Sequence, residues 1–129
     1  MRIEITDVLD VEAGKVWFAC AAGEAWGIWK GEGAPSVGSH DVEFEIDEES
    51  PRWVHSPPGQ GEIVANVSGD AGWISVSGIV ERVDDDSMVT LRIQTDLVMI
   101  EMADAGGDLA EGETITFKLK SLDLYPYQL

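Results

Sequence analysis

Three consecutive residues, Ser39, His40 and Asp41, carry the side-chain types of a hydrolase triad. Such triads converge from positions far apart in the sequence, whereas neighbours on an extended chain point to opposite sides. We therefore interpret this run as the beginning of a strand. The second histidine, His55, does not follow at a metal-ligand spacing, and a zinc site without further His or Cys would need carboxylates to complete it. No metal is predicted.

Two other features could carry chemistry. Cys20 is the one cysteine, and its apolar surroundings in "VWFACAA" favour a buried, unreactive thiol. The run "DDDS", Asp84 to Ser87, lacks the ordered oxygens and the glycine of a calcium loop, and Asp is common in tight turns, so it predicts a hairpin turn. No glycine-rich phosphate motif is present. The sequence predicts a protein that is not an enzyme, without catalytic residues or a cofactor.

The most regular stretch of the chain is "HDVEFEIDEES", in which apolar and acidic residues alternate. Period-2 alternation predicts a strand with one buried and one solvent-facing side. We expect Val42, Phe44 and Ile46 to fill the core. The acidic side, called here the acidic row, consists of Glu43, Glu45, Asp47, Glu48 and Glu49. These five residues are the predicted partner-binding surface, although the same charges could serve solubility or protect a sheet edge.

Tryptophan is frequent, with five in 129 residues. Trp17 lies between Val16 and Phe18, so it points to the opposite face of the strand from these two residues. Trp26 and Trp29 are three positions apart and cannot both face one side of a regular strand unless a bulge intervenes, for example near Gly27. Exposed tryptophans anchor interfaces or stack on sugar rings. Trp17 and Trp29 are therefore added to the predicted partner-binding residues. The alternative, that most of the five tryptophans fill the core, stays open.

Alternation of this kind dominates the chain, and no helical period of 3.6 residues appears. The predicted strands are Arg2–Val11, Lys15–Ala21, Glu24–Lys30, Asp41–Asp47, Glu62–Ser68, Trp73–Val83, Ser87–Gln94, Leu97–Met102 and Glu113–Leu122. Gly-rich and Asp-rich turns separate them. The pattern predicts an all-β protein with little or no helix, built as a small barrel or sandwich.

The pattern also repeats at a distance of 73 positions, which predicts two related β units. A shift of 73 positions aligns Val16, Phe18 and Cys20 with Val89, Leu91 and Ile93. The same shift aligns Phe44 and Ile46 with Phe117 and Leu119. We assign residues 1–54 to the first unit, 55–71 to a linker with a possible bridging strand, and 72–129 to the second. The linker contains "SPPGQG", whose prolines cannot continue a central strand because they lack N–H donors.

Residues 72 to 122 combine a long first strand "WISVSGIVERVDD" containing Gly78, a hairpin into "SMVTLRIQ", and "GETITFKL" after a longer connection. This arrangement resembles an oligonucleotide/oligosaccharide-binding (OB) barrel, in which a glycine lets the long strand bend. The resemblance implies a fold and no particular activity, since many functions use such barrels.

The charge balance limits the possible partners. The chain has 25 acidic and 8 basic residues, a net charge of -17, spread over both halves. Such a field repels phosphate backbones and anionic lipid and accelerates encounter with cationic partners. Nucleic-acid-binding OB modules need a cationic track, and Lys118 and Lys120 are the one local basic pair. We expect no nucleic acid and no membrane partner.

The favoured function is a non-enzymatic acidic binding module for a basic protein, such as an inhibitor, an immunity-type protein or an adaptor. The alternative is a barrel that binds a small molecule or carbohydrate through exposed tryptophan, and an OB-type nucleic-acid binder ranks third. A single cysteine and no recognisable signal peptide predict a cytoplasmic protein. The sequence leaves the oligomeric state open.

Overall fold

A computed structural model describes residues 1–48, 51–65, 72–102 and 109–127. These residues form eleven strands and no helix. The strands are β1 (Arg2–Asp10), β2 (Lys15–Cys20), β3 (Gly23–Trp29), β4 (Gly38–Glu45), β5 (Trp53–His55), β6 (Glu62–Ala65), β7 (Ile74–Val83), β8 (Met88–Ile93), β9 (Asp96–Glu101), β10 (Thr114–Leu119) and β11 (Asp123–Pro126). The predicted all-β class is confirmed. Over the same residues, no helix has the length and apolar character needed to cross a membrane.

Five strands close into a barrel in the order β1-β2-β3-β11-β4. The first three strands form an antiparallel meander, and β4 returns to pair with β1. Strand β11 fills the gap between β3 and β4, parallel to β3 and antiparallel to β4. The closed barrel is therefore built from the first predicted unit together with the last strand of the chain.

The remaining strands form a six-stranded sheet in the order β5-β10-β7-β8-β9, with β6 paired to β7. On one side of β7, the residues before Gly78 pair with β6 and the residues after it pair with β8. A Cβ at Gly78 would lie 3.2 Å from both the Arg92 carbonyl oxygen and the Leu91 Cβ. The absent side chain thus lets β7 approach β8 closely where it changes partners.

The two halves of the chain share one hairpin register at the predicted distance of 73 positions. In the β2–β3 hairpin the paired residues include Lys15 and Ile28, Phe18 and Ala25, and Cys20 and Gly23. In the β8–β9 hairpin the pairs are Met88 and Glu101, Leu91 and Val98, and Ile93 and Asp96. Every residue of the second set lies 73 positions after its counterpart, which supports two related units.

The two units also exchange their last strands. β5 follows β4 along the chain but pairs with β10, and β11 follows β10 but pairs with β4. The unit predicted over residues 72–129 therefore gives its C-terminal strand to the barrel of the other unit. Strand β5 lies across the predicted boundary at Val54. The strand predicted from Glu62, within residues 55–71, is present as β6 (Glu62–Ala65).

Further contacts join the barrel to the second sheet. The Ile63 amide on β6 donates to the Ala22 carbonyl oxygen at 3.0 Å. Gly23 has a φ of +137°, and a Cβ there would lie 2.6 Å from the Ile63 carbonyl oxygen, so only glycine permits this approach. Inside the barrel, the rings of Phe18 and Phe44 pack with centroids 5.8 Å apart. One cluster of buried apolar residues draws on both halves of the chain.

Candidate functional site: the acidic groove

Strand β4 has the two faces that the alternation predicts. Val42 and Phe44 are buried in the barrel, while Glu43 and Glu45 are exposed. Tertiary packing explains why the apolar and acidic residues lie on opposite faces of β4. The Phe44 ring packs against Phe18, and the carboxylates would lose their hydration if they were buried in the barrel. The predicted orientation of these four residues is confirmed.

The acidic row is shorter than the sequence suggests, because β4 ends at Glu45. Asp47 remains exposed beyond the strand, and Ile46 is half-buried. Glu48 does not continue the row. Its carboxylate accepts hydrogen bonds from the backbone amides of Lys120 at 2.7 Å and Ser121 at 3.3 Å, which turns it toward the end of β10. Glu49 lies outside the described residues.

The exposed carboxylates face more negative charge across the sheet. In the pairing of β4 with β11, Glu43 lies opposite Tyr125 and Glu45 opposite Asp123. Burial raises the pKa of Asp123, nearby Lys30 acts to lower it, and Asp47 raises it further. Within the described ranges, no salt bridge includes Glu43, Glu45 or Asp47. Like charges opposite one another on a sheet oppose folding slightly, so the fold itself gains nothing from this concentration.

Apolar side chains lie beside the carboxylates, in a groove of about 650 Å³ between β4 and β9. Leu97 and Met99 of β9 are 62% and 56% exposed and form its apolar wall. The name acidic groove is used below for this feature, lined by Glu43, Glu45, Asp96, Leu97, Met99 and Tyr127. It places two carboxylates of the acidic row next to the two most exposed apolar side chains of β9.

The electrostatics of the acidic groove are negative. Partial desolvation raises the pKa of the Tyr127 hydroxyl, and the charges of Glu43 and Asp96 together with a hydrogen bond to Glu43 raise it further. Asp96 itself forms an ion pair with the N-terminal ammonium of Met1. The charge available to a ligand therefore comes chiefly from Glu43 and Glu45.

This combination suits an amphipathic cationic ligand. Carboxylates attract Lys or Arg at a distance and form charge-assisted hydrogen bonds on contact. Leu97 and Met99 offer an apolar surface that becomes buried when a partner docks, and such burial provides most of the energy of association.

The two predicted tryptophans lie elsewhere. Trp17 of β2 is half-buried on the outer side of the barrel, directly opposite Trp26 of β3, and the Lys15 ammonium lies 4.5 Å from the Trp26 ring centroid. Trp29 is also half-buried and packs edge-on against His40 at 4.9 Å. In the barrel β1 separates β2 from β4, so Trp17 does not join the acidic row in one surface.

The triad-like residues bind three different partners. Ser39 donates to Glu4 at 2.6 Å, a ring nitrogen of His40 lies 2.9 Å from the Ser36 carbonyl oxygen, and Asp41 accepts from Arg2 at 3.0 Å. Ser39 and Asp41 therefore connect β4 to β1, His40 contacts the segment before β4, and the three side chains do not converge on one site. No group of three or more metal-ligating side chains occurs among residues 1–48, 51–65, 72–102 and 109–127.

The remaining predictions concern Cys20 and the Asp84 turn. Cys20 is half-buried and not fully buried as predicted, and its partial burial raises the pKa of the thiol. Asp84 to Ser87 form the turn between β7 and β8, where the Ser87 amide donates to the Asp84 carbonyl oxygen at 3.2 Å. The hairpin turn is confirmed.

Sequence reasoning missed the apolar side of the acidic groove. In the run Leu97 to Ile100 every residue is apolar, which is typical of a strand buried on both faces. Val98 and Ile100 are buried as that pattern predicts, but Leu97 and Met99 are exposed. The signal in the sequence was the pair of apolar residues Leu97 and Met99. Their exposure can be inferred only once β9 is known to lie at the edge of the sheet.

Comparison with protein-family models, characterised proteins and solved structures gives no significant match in any of the three.

Proposed function

We propose that this chain is a non-enzymatic binding module that recognises a basic protein segment in the acidic groove. An inhibitor, an immunity-type protein and an adaptor would each use such a surface. Its partner would place Lys or Arg side chains on Glu43 and Glu45 and an apolar side chain against Leu97 and Met99.

The observation that carries the proposal is the adjacency of exposed apolar side chains and carboxylates that form no ion pair among the described residues. Charges serving solubility alone need no apolar neighbours, and scattered exposed apolar residues are ordinary. At the acidic groove, Leu97 and Met99 are more than half exposed beside the two carboxylates of β4. Hydrophobic anchors bordered by charge are typical of protein interfaces.

The test separates the two contributions. Basic proteins are captured from a cell lysate at low salt on the immobilised chain, purified, and measured for association and dissociation rates. Glu43→Lys with Glu45→Lys should lower the association rate about tenfold at low salt, since surface charge acts mainly on encounter. Leu97→Ser with Met99→Ser should leave that rate nearly unchanged and raise the dissociation rate about tenfold or more.

The matched control is Glu12→Lys with Glu24→Lys, which makes the same change in net charge at exposed positions outside the groove. If this control slows association as much as the groove variant does, the effect belongs to the global charge and the proposal is wrong. Unchanged dissociation in the Leu97 and Met99 variant would likewise remove the apolar contact from the interface.

A second candidate function rests on the cross-strand pair of Trp17 and Trp26. Two indole rings on the outer face of a hairpin can stack on a sugar, and the Lys15 ammonium beside Trp26 can donate to hydroxyl groups. This function predicts a change in tryptophan fluorescence on titration with oligosaccharides, and its loss in Trp17→Ala. The acidic groove ranks first because it combines two kinds of contact in one surface.

The proposed location is a reducing cytoplasm. The chain has one cysteine, Cys20, which excludes an intramolecular disulfide, and proteins of oxidising compartments often depend on disulfides. The proposed partner is then a basic cytoplasmic protein, and neither nucleic acid nor an anionic membrane is proposed as a ligand of a chain with net charge -17.

A further inference from the structure

A second groove, on the opposite edge of the six-stranded sheet, has the reverse charge. It has a volume of about 440 Å³ and lies over β5 and β10. The name basic groove is used for this feature, lined by Arg52, Val54, Trp73, Lys118 and Lys120 together with Glu48. It gathers three of the eight Lys and Arg residues of the chain.

Strand pairing creates this cluster from distant positions. Trp53 pairs with Phe117, and the residues next to them in the chain, Arg52 and Lys118, both line the groove. In the same way Leu119 pairs with Ile74, which brings Trp73 next to Lys120.

The walls between the cations are apolar. Val54 is 63% exposed and Trp73 is 41% exposed, and the Lys120 ammonium lies 5.9 Å from the Trp73 ring centroid. Thr116 of β10 also lines the groove. The volume is within the range of small-molecule sites, about 300–1,000 Å³.

The carboxylate of Glu48, which also lines the groove, already accepts two backbone hydrogen bonds. These come from the Lys120 and Ser121 amides, as described above. Within the described part of the chain, no salt bridge includes Arg52, Lys118 or Lys120. Among the described residues that line the groove, three cationic side chains face one carboxylate, which gives a local excess of positive charge.

We propose that the basic groove binds a small organic anion with an apolar body, such as a medium-chain carboxylate. The head group lies between the Arg52 guanidinium and the Lys118 ammonium, where Arg can form two parallel hydrogen bonds with a carboxylate. The apolar body lies along Trp73 and Val54. Because the whole molecule repels anions, binding of one requires a local site of this kind.

The probe is decanoate below its micellar concentration, measured by calorimetry and by tryptophan fluorescence. Decyltrimethylammonium, which carries the same chain on a cationic head, is the matched ligand. We expect one molecule of decanoate to bind per chain, and decyltrimethylammonium to bind at least about tenfold more weakly. Removing two charge-assisted contacts with Arg52→Ala and Lys118→Ala should weaken decanoate binding about tenfold or more.

The control variant is Arg2→Ala with Arg82→Ala, which removes the same charge from exposed positions outside the groove and should leave decanoate binding unchanged. Trp73→Ala should weaken decanoate and remove most of the fluorescence response, and Trp73→Phe should restore the affinity. Far-UV circular dichroism checks that each variant is folded.

Several outcomes overturn the proposal. These are the absence of decanoate binding, equal binding of the cationic amphiphile, and an unchanged affinity in the Arg52 and Lys118 variant. A further arm uses phosphatidylglycerol vesicles, which present anionic head groups in a bilayer. The net charge of -17 predicts that the chain does not bind them, and retention on vesicles would assign the groove to a membrane surface instead.

Discussion

At the scale of single residues, charge and burial separate two kinds of position on β4. Phe44 is 7% exposed and packs on Phe18, whereas Glu43 and Glu45 reach solvent without an ion-pair partner in the described part of the chain. Stability should therefore depend on Phe44, and recognition should depend on the carboxylates.

This separation makes a prediction about stability. Changing Glu43, Glu45 and Asp47 together to Lys should alter the free energy of unfolding by no more than about 1 kcal/mol, because exposed charges contribute little. Phe44→Ala should cost about 3–5 kcal/mol through the cavity it leaves. Both changes are measured by chemical denaturation, and a collapsed fold in the triple variant would show that the two faces of β4 are assigned the wrong way round.

At the scale of elements, strand β11 determines whether the barrel closes. It is four residues long and bridges β3 and β4, with Leu124 fully buried between them. A Cβ at Gly27 would lie 3.0 Å from the Leu124 side chain, so the two residues fit closely across the β3–β11 pair.

Leu124→Ala should therefore destabilise the protein by about 2–5 kcal/mol, the range found when a buried leucine is truncated. Tyr125→Ala, on the exposed face of the same strand, is the matched control and should cost about 1 kcal/mol or less. Denaturant titration measures both. Equal effects of the two substitutions would mean that β11 does not fill the gap in the barrel.

The sequence predicted most strands and missed β5 and β11. Alternation identified β2, β8 and β9 to within one or two residues at each end, because these strands have one face in the core. β5 is three residues long and β11 is four residues long, so neither is long enough to show a period. The wrong extension of β4 to Asp47 has a similar cause, since alternating residues do not reveal where hydrogen bonding ends.

Pairing partners lie beyond what alternation can predict. The period of a strand indicates which residues face the core, but it does not indicate which strand lies beside it. The acidic groove depends on β4 lying near β9, and the basic groove depends on β5 pairing with β10. The sequence therefore predicted the carboxylates of the candidate site and could not predict the apolar wall beside them.

At the scale of the whole molecule, the exchange of β5 and β11 joins the barrel to the second sheet, and with them the two predicted units. Each unit supplies the strand that pairs with the fourth strand of the other, and β6 adds its hydrogen bond to Ala22 of the barrel. Neither unit retains all of its strand pairings without the other. The two grooves thus share one framework: the acidic groove lies between β4 of the barrel and β9 at one edge of the sheet, and the basic groove lies over β5 and β10 at the other edge.

This exchange leads to a prediction for a chain cut within the linker. A protease site inserted between Pro58 and Gly59, both exposed, divides the chain so that β5 stays with the first piece and β11 with the second. Because each piece then carries a strand that pairs in the other unit, the cut halves should elute together as one species in size-exclusion chromatography and separate in urea. The uncut protein with the same insertion is the control for elution volume and circular dichroism. Elution of two separate, folded halves in native buffer would show that each unit closes with its own strand and that the exchange does not occur.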